Sequence, residues 1–255
     1  MEMSGVGFIE YDNQDASPMN EQKERFLFFR RFYVSKCQNI SVTIAVLNYL
    51  TKHEEDYDNL STVSPAFTNA VINNFWAQAV IGLFEFYRKS DGLSFENFFN
   101  YIGSNWNMIF TGKFYDIIYQ GEEKKTERVK FTKEKIFQTI EECKKIIDEN
   151  QEKIKLLGKF RDKIFAHYGD ISKEKIEVSL SIDELQEIFK VTEQIVNKIE
   201  VFYDRVITSF TPINATDICQ LCHAINKYKE YRGKIREFDM KKTTSHTGGI
   251  DELSS

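Results

Sequence analysis

Apolar residues recur at three- and four-residue intervals through most of the chain, the spacing of helices that bury one face. From Glu21 to about Asp56 they form one stripe of Phe26, Phe29, Phe32, Tyr33, Ile40, Ile44, Leu47 and Leu50, which predicts one long helix or two joined near Ser35. The polar, acidic stretch His53 to Ser61 interrupts it, and Ser64-Pro65 restarts it, a capping residue followed by a proline at the first helical position. The helix predicted from Pro65 to about Arg88 carries Phe67, Val71, Phe75, Trp76, Ala79, Val80, Leu83 and Phe84 around much of its circumference, as expected of a core helix. After the Ser90-Asp91-Gly92 turn, Ser94 caps a short helix with Phe95, Phe98, Phe99 and Ile102. Residues 103 to 131 pass from aromatics into a charged run and predict a short helix and then a loop.

Thr132 caps a third long helix, with Glu134 in its first turn and Ile136, Ile140, Cys143, Ile146, Ile147, Ile154 and Leu157 lining one side up to Arg161. Gly169 suits the left-handed residue that commonly ends a helix, so His167 is expected in the last turn or just beyond it. Lys173 to Leu180 alternates Ile176, Val178 and Leu180 and reads as a short strand or an extended linker. Ser181 and Glu184 make a capping box ahead of a fourth long helix, whose apolar positions run from Leu185 through Ile195 and Ile199 to Val206. The organisation expected is a flexible arm over 1–18, a helical bundle over 19–212, an appended helix over 213–240 and a disordered tail over 241–255. No internal repeat is seen.

Composition narrows the class. Among 255 residues there are only 3 prolines and 12 glycines, too little turn chemistry to punctuate a sheet, so the fold class expected is all-α, an antiparallel bundle of four to five helices. No apolar run reaches the roughly 18 to 20 residues of a membrane span, and Met1-Glu2-Met3 lacks the basic start of a secretory signal, so a cytoplasmic protein with no membrane partner is expected. The formal net charge of −5 excludes a protein that coats nucleic acid by bulk electrostatics. Any such contact must be local, and one local candidate exists: Lys153, Lys155, Lys159, Arg161 and Lys163 stand against the single acid Asp162 within 153–163.

The chemistry converges on Arg161-Asp162-Lys163-Ile164-Phe165-Ala166-His167-Tyr168-Gly169-Asp170. A guanidinium clamps phosphate oxygens, and a histidine with an ordinary pKa of about 6.5 moves a proton either way near neutrality. A helix C-terminus stabilises imidazolium by roughly 0.3 to 1 kcal/mol, which biases His167 towards its acid form. On a straight helix the six-residue offset sets Arg161 and His167 about 120° apart in azimuth and roughly 9 Å apart along the axis. Either the helix unwinds before His167, or a second copy of the motif completes the centre across a symmetric dimer. As two residues at a loose spacing, the pair also fits a plainer role, finishing a helix with an ion pair and a bond to a terminal carbonyl.

Arg161, polar Asp162 and five intervening residues before His167 resemble the signature of the HEPN superfamily, the higher eukaryote and prokaryote nucleotide-binding domains. Arg-Asp-Lys-Ile-Phe-Ala-His is similar to the form common in the abortive-infection branch. Asn74-Phe75-Trp76 through Phe84, followed by Ser90-Asp91-Gly92-Leu93-Ser94, resembles that branch's core helix and the start of the next, and the likeness covers about Asn20 to Phe210. The resemblance implies a metal-independent endoribonuclease in which the ribose 2′-hydroxyl attacks the adjacent phosphate and leaves a cyclic phosphate end. His167 is then the general base or acid, Arg161 stabilises charge on the phosphorane, and Asp162 orients one of them; Lys159, Lys163 and Tyr168 are candidate RNA contacts. It implies RNA as substrate, a homodimer with a composite active site, an antitoxin or defence-system partner, and no cofactor or metal. Some relatives carry a tyrosine two residues after the histidine, but here Tyr168 follows His167 directly and Gly169 takes that place, so the likeness does not extend to that tyrosine. The alternative from another class is a HEPN-like module that only binds RNA, a nucleotide or a partner protein.

Other signals are weaker. Cys219-Gln220-Leu221-Cys222-His223 spells the pattern of covalent haem attachment but lacks any export signal, and ordinary helix residues are the better reading. Zinc would have only His246 as a further ligand downstream, Cys37 and Cys143 read as small core residues, and His53 beside Glu54, Glu55 and Asp56 reads as solvated surface. No glycine-rich phosphate loop or nucleophile elbow appears, which argues against an ATP-driven or serine-nucleophile enzyme.

Overall fold

The computed structural model describes residues 18–110, 114–119, 125–167, 179–204, 206–212 and 216–247. Eight helices dominate these residues: α1 (Pro18–Lys52), α2 (Glu54–Val63), α3 (Pro65–Tyr87), α4 (Phe95–Phe110), α5 (Lys133–Glu149), α6 (Gln151–His167), α7 (Ile182–Asp204) and α8 (Thr216–Thr247). The fold is all-α in class with one small insertion. Strands β1 (Phe114–Tyr119) and β2 (Lys125–Lys130) pair antiparallel in the register Phe114↔Lys130 to Tyr119↔Lys125. Among the described residues no helix is long and apolar enough to cross a membrane.

Caps follow the sequence closely. The Glu184 carboxylate accepts from the Ser181 backbone N–H at 2.7 Å while the Glu184 N–H donates to Ser181 Oγ at 3.2 Å, a reciprocal capping box that opens α7. The Ser94 and Thr132 hydroxyls accept from the backbone N–H groups of Asn97 and Lys135, each at 3.4 Å, and so start α4 and α5.

Four expectations change. The helix expected from Thr132 to Arg161 is two helices broken at Asn150, whose carbonyl accepts from Ile154 and opens α6. The loop expected after α4 contains the hairpin, which the charged sequence Lys125–Lys130 conceals because it shows no alternation of apolar and polar positions. The stretch His53 to Ser61 is mostly α2, a short helix with one buried residue, Leu60. Finally α8 continues to Thr247, beyond the boundary at 240, whereas the arm before residue 18 and the segment Lys173 to Val178 lie outside the described residues.

The chain divides into two compact units. The first comprises residues up to Val34, Tyr87–Glu149 and Ile195–Thr208, and its core is aromatic. Phe26 lies 4.7 Å from Tyr203 and 5.6 Å from Phe110, and Tyr33 meets Phe95 and Phe98 edge-on at 5.2 Å, while its hydroxyl donates to the Ser94 carbonyl. Such pairs contribute about 0.5 to 1.5 kcal/mol beyond the area they bury. Within this core the Arg30 guanidinium, 7% exposed, donates twice to Glu200 at 2.8 and 2.6 Å and once to Asp204 at 2.6 Å, and stacks 4.2 Å from the Tyr203 ring centroid.

The second unit comprises Ser35–Phe86, Asn150–Gln194 and the chain from Ser209 onwards. Here Val46, Leu50, Leu60 and Cys222 form a buried cluster with Tyr49, Ile72, Phe75, Ile218 and Ile225 packed against it. Helix α3 is most deeply buried in its second half. Ala79, Val80, Leu83 and Phe86 are buried, whereas near the start of the helix Thr68 is buried and its neighbour Phe67, on another face, is 55% exposed. Polar bonds fix α8: Tyr49 donates to Asp56, Asn226 donates to Asp56 and accepts from Asn59, and Lys229 donates to Asn59.

Removing one member of a buried ion pair strands the other charge in a low-dielectric site, at a cost of about 3 to 5 kcal/mol. Arg30→Ala, which leaves the buried Glu200 carboxylate without its guanidinium, is therefore expected to lower the urea-unfolding free energy by about that amount, and a loss under ~1 kcal/mol would show Glu200 reaching water.

Candidate functional site

Helix α6 brings the candidate residues into one element of the second unit. Its inward face is set by Ile154, Leu157 and Gly158, all buried, and its outward face by Glu152, Lys153, Lys155, Lys159 and Asp162, all exposed. Arg161 lies between these faces, with its side chain 19% exposed. The seat beneath it is Phe84 of α3, whose ring centroid lies 4.4 Å from the guanidinium carbon. One turn earlier the same ring closes over Gly158, where a Cβ would stand only 2.9 Å from Phe84 Cε2. Two turns back along α3, Trp76 meets Phe160 with centroids 6.0 Å apart, so aromatic contacts pin α6 to α3 in the turn that leads into Arg161.

Asp162, 65% exposed at its side chain, ion-pairs with Arg161. The basic run is less available than its sequence implies. Lys153 bonds Glu187 at 2.8 Å and Lys155 bonds Glu152 at 2.7 Å, surface pairs that take up two of the charges. The Lys155 bond, helped by the charges of Lys155 and Lys159, holds the Glu152 carboxyl below its ordinary range. Lys159 is exposed beside this pair, and Lys163 follows half a turn after Arg161 on the α6 backbone.

Helix α6 runs unbroken to His167, its last residue. Unwinding before the histidine, one of the two ways of bringing the pair together, therefore does not occur. Along a continuous helix Arg161 and His167 stand about 120° apart around the axis and roughly 9 Å along it. Tyr168 lies outside the described residues.

Phe84 and Gly158 are the participants that sequence reasoning did not assign to the site. Phe84 sits at helical spacing among core residues and was indistinguishable from them. Gly158, three residues before Arg161 inside a helix, was the available signal, since a glycine mid-helix costs about 1 kcal/mol relative to alanine and marks a close approach.

The Cys219–His223 motif is packing, not ligation. Cys222 is buried in the cluster of Val46, Leu50 and Leu60, where burial raises its thiol pKa, and Cys219 lies one turn away, partly exposed. A hydrogen bond to Asp56, with burial and the neighbouring Cys219 adding, pushes the Tyr49 hydroxyl well above its usual range. Among the described residues no group of three or more His, Cys, Asp or Glu side chains is arranged to hold a metal ion.

Compared with family models, with curated proteins and with solved structures, the chain finds no match.

Two outcomes follow from this geometry. Gly158→Ala gains about 1 kcal/mol of helix propensity but overpacks against Phe84 at a cost of about 1 to 3 kcal/mol. It is expected to be no more stable than wild type in chemical denaturation and to become stabilising in a Phe84→Leu background. A gain in the wild-type background would show that the ring yields freely. Burial lifts the Cys143 thiol to about 12 and Cys37 higher still, so few thiolates form there at about pH 8. A thiol-disulfide reagent is expected to modify Cys219 first, with the fast phase lost in Cys219→Ser and the remaining thiols reacting only on unfolding.

Proposed function

We propose that the chain is a metal-independent endoribonuclease of HEPN type, acting as a toxin or abortive-infection effector, with a centre completed by a second copy. The observation that carries this reading is the partly exposed Arg161, held on the Phe84 ring six residues before a histidine that ends the same helix. Contact with an aromatic face fixes where the guanidinium sits, and a phosphate can take two of its N–H donors side by side by displacing the exposed Asp162 carboxylate. Because α6 is continuous, one chain turns Arg161 and His167 to different sectors, and two copies of α6 about a twofold axis supply both groups to one phosphodiester.

In that centre the 2′-oxygen bonds to phosphorus as its proton passes to one histidine acting as base. The bond from phosphorus to the 5′-oxygen breaks, and that oxygen takes a proton from the other histidine acting as acid. The arginines bear the charge that develops on the non-bridging oxygens. Asp162, paired with Arg161, holds the guanidinium in its plane, and Lys159 and Lys163 attract the flanking backbone.

A second reading draws on the same contacts. A guanidinium already stacked on Phe84 and paired with Asp162 is also a sound anchor for a phosphate that is bound and never cut. Incubation of purified protein with mixed RNA in EDTA separates the two. The expected outcome is cleavage to cyclic phosphate ends by wild type, reduced about 10²- to 10⁴-fold in His167→Ala and Arg161→Ala. Equal cleavage by all three proteins removes the nuclease, and binding that requires Arg161 without any cleavage selects the anchor.

A further inference from the structure

Helix α8 buries one face and leaves a second apolar face open. The buried face carries Ile218, Cys222 and Ile225 against the Val46, Leu50 and Leu60 cluster, with Asn226 and Lys229 bonded to α2 beside it. Outside it, Leu221 (43% exposed), Tyr228 (50%) and Ile235 (43%) recur at seven-residue spacing, with Tyr231 (64%) three residues after Tyr228. Ala224, three residues after Leu221, is exposed in the same row. At about 100° per residue this row is centred about 120° away from the buried face, so it is a separate surface. Leucine, tyrosine and isoleucine at a and d spacing form a seam fit to receive the ridge of another helix.

The edges of the seam are basic. Lys227 and Lys234 flank one side and Arg232 the other, with Arg232 5.8 Å from the Tyr228 ring centroid, while Glu230 and Glu237 lie turned away by helical phase. This is a positive strip on a chain whose formal charge is −5. Self-pairing is penalised by the same charges. Laid parallel, two copies of α8 oppose Lys227 to Arg232, and laid antiparallel they oppose lysine to lysine. A complementary partner needs apolar a and d positions and carboxylates at the flanking positions.

We infer that the exposed face of α8, Leu221 to Ile235, docks an acidic amphipathic helix of a partner protein. The surface is independent of the Arg161 centre and stands whether or not that centre cuts RNA. The test uses the full chain and two labelled three-heptad peptides with leucine at a and d, one with glutamate and one with lysine at e and g, followed by fluorescence anisotropy. The glutamate peptide is expected to bind and the lysine peptide to fail. The preference should reverse in the triple variant Lys227→Glu, Arg232→Glu, Lys234→Glu. Tyr228→Ser with Ile235→Ser should weaken binding by roughly tenfold or more with the helical circular dichroism unchanged. Binding of neither peptide, equal binding of both, or no response to charge reversal overturns the inference. So does saturable binding of single-stranded RNA, lost in the same variants, in place of the glutamate peptide; the tyrosines would then be a base-stacking platform.

Discussion

The face of Phe84 is the constraint on which the candidate centre depends. It meets Gly158 where no side chain could be accommodated without displacement, and within the next turn it lies under the Arg161 guanidinium. One ring therefore fixes both how closely α6 approaches α3 and where the arginine rests. A long side chain free in solvent would surrender up to about 2 kcal/mol of rotamer entropy on gripping a phosphate. Resting on a ring, Arg161 has given up much of that freedom during folding, and the packing of the second unit rather than the ligand bears the cost.

A comparison of two arginines separates support from chemistry. Arg30 is committed: it is buried in the first unit, bonded to both Glu200 oxygens and to Asp204, and stacked on Tyr203. Anything that drew it towards a ligand would have to break three charge-assisted bonds in a site poor in water. Arg161 shares the aromatic stacking, but its acid, Asp162, is its chain neighbour and largely exposed, so water already weakens the attraction. The Asp162 pair is thus screened where the Glu200 pair is buried. Sequence inspection treats the two residues alike; their surroundings bury one in a three-bond network and leave the other part-exposed beside a solvent-facing acid.

The long stripes were legible because burial enforces them. Phe26, Phe29, Tyr33, Ile40, Ile44, Leu47 and Leu50 are all buried along α1, and the Ser181 box opens α7 where its residue types require. What was hidden depends on tertiary partners. Ile147 and Ile154 keep helical phase across Asn150, so periodicity carries no mark of the break, although the two compact units part company there. The β1–β2 hairpin has too little alternation on its second strand to announce itself, and Phe67 reads as core because nothing local says that its face of α3 has no neighbour among the described residues to cover it. At the site, Arg161 and His167 were visible as residue types, while the role of Phe84 requires two helices at once.

The unbroken run of α6 sharpens what an arginine and a histidine six residues apart can do. A helix brings together residues three, four or seven apart, and an offset of six leaves them in different sectors by about 120°. A centre meant to work inside one chain would be better served by a spacing of three or four. On the proposed reading the six-residue offset is therefore an advantage, because it sets the proton carrier in a different sector of the helix from its own arginine, where a second copy completes the centre. Placing His167 as the last residue of α6 adds to this, since a helix C-terminus favours a cation there. The isolated chain would then hold both kinds of group at fixed positions without forming a complete centre, and activity would be governed by association, with pairing itself as the switch.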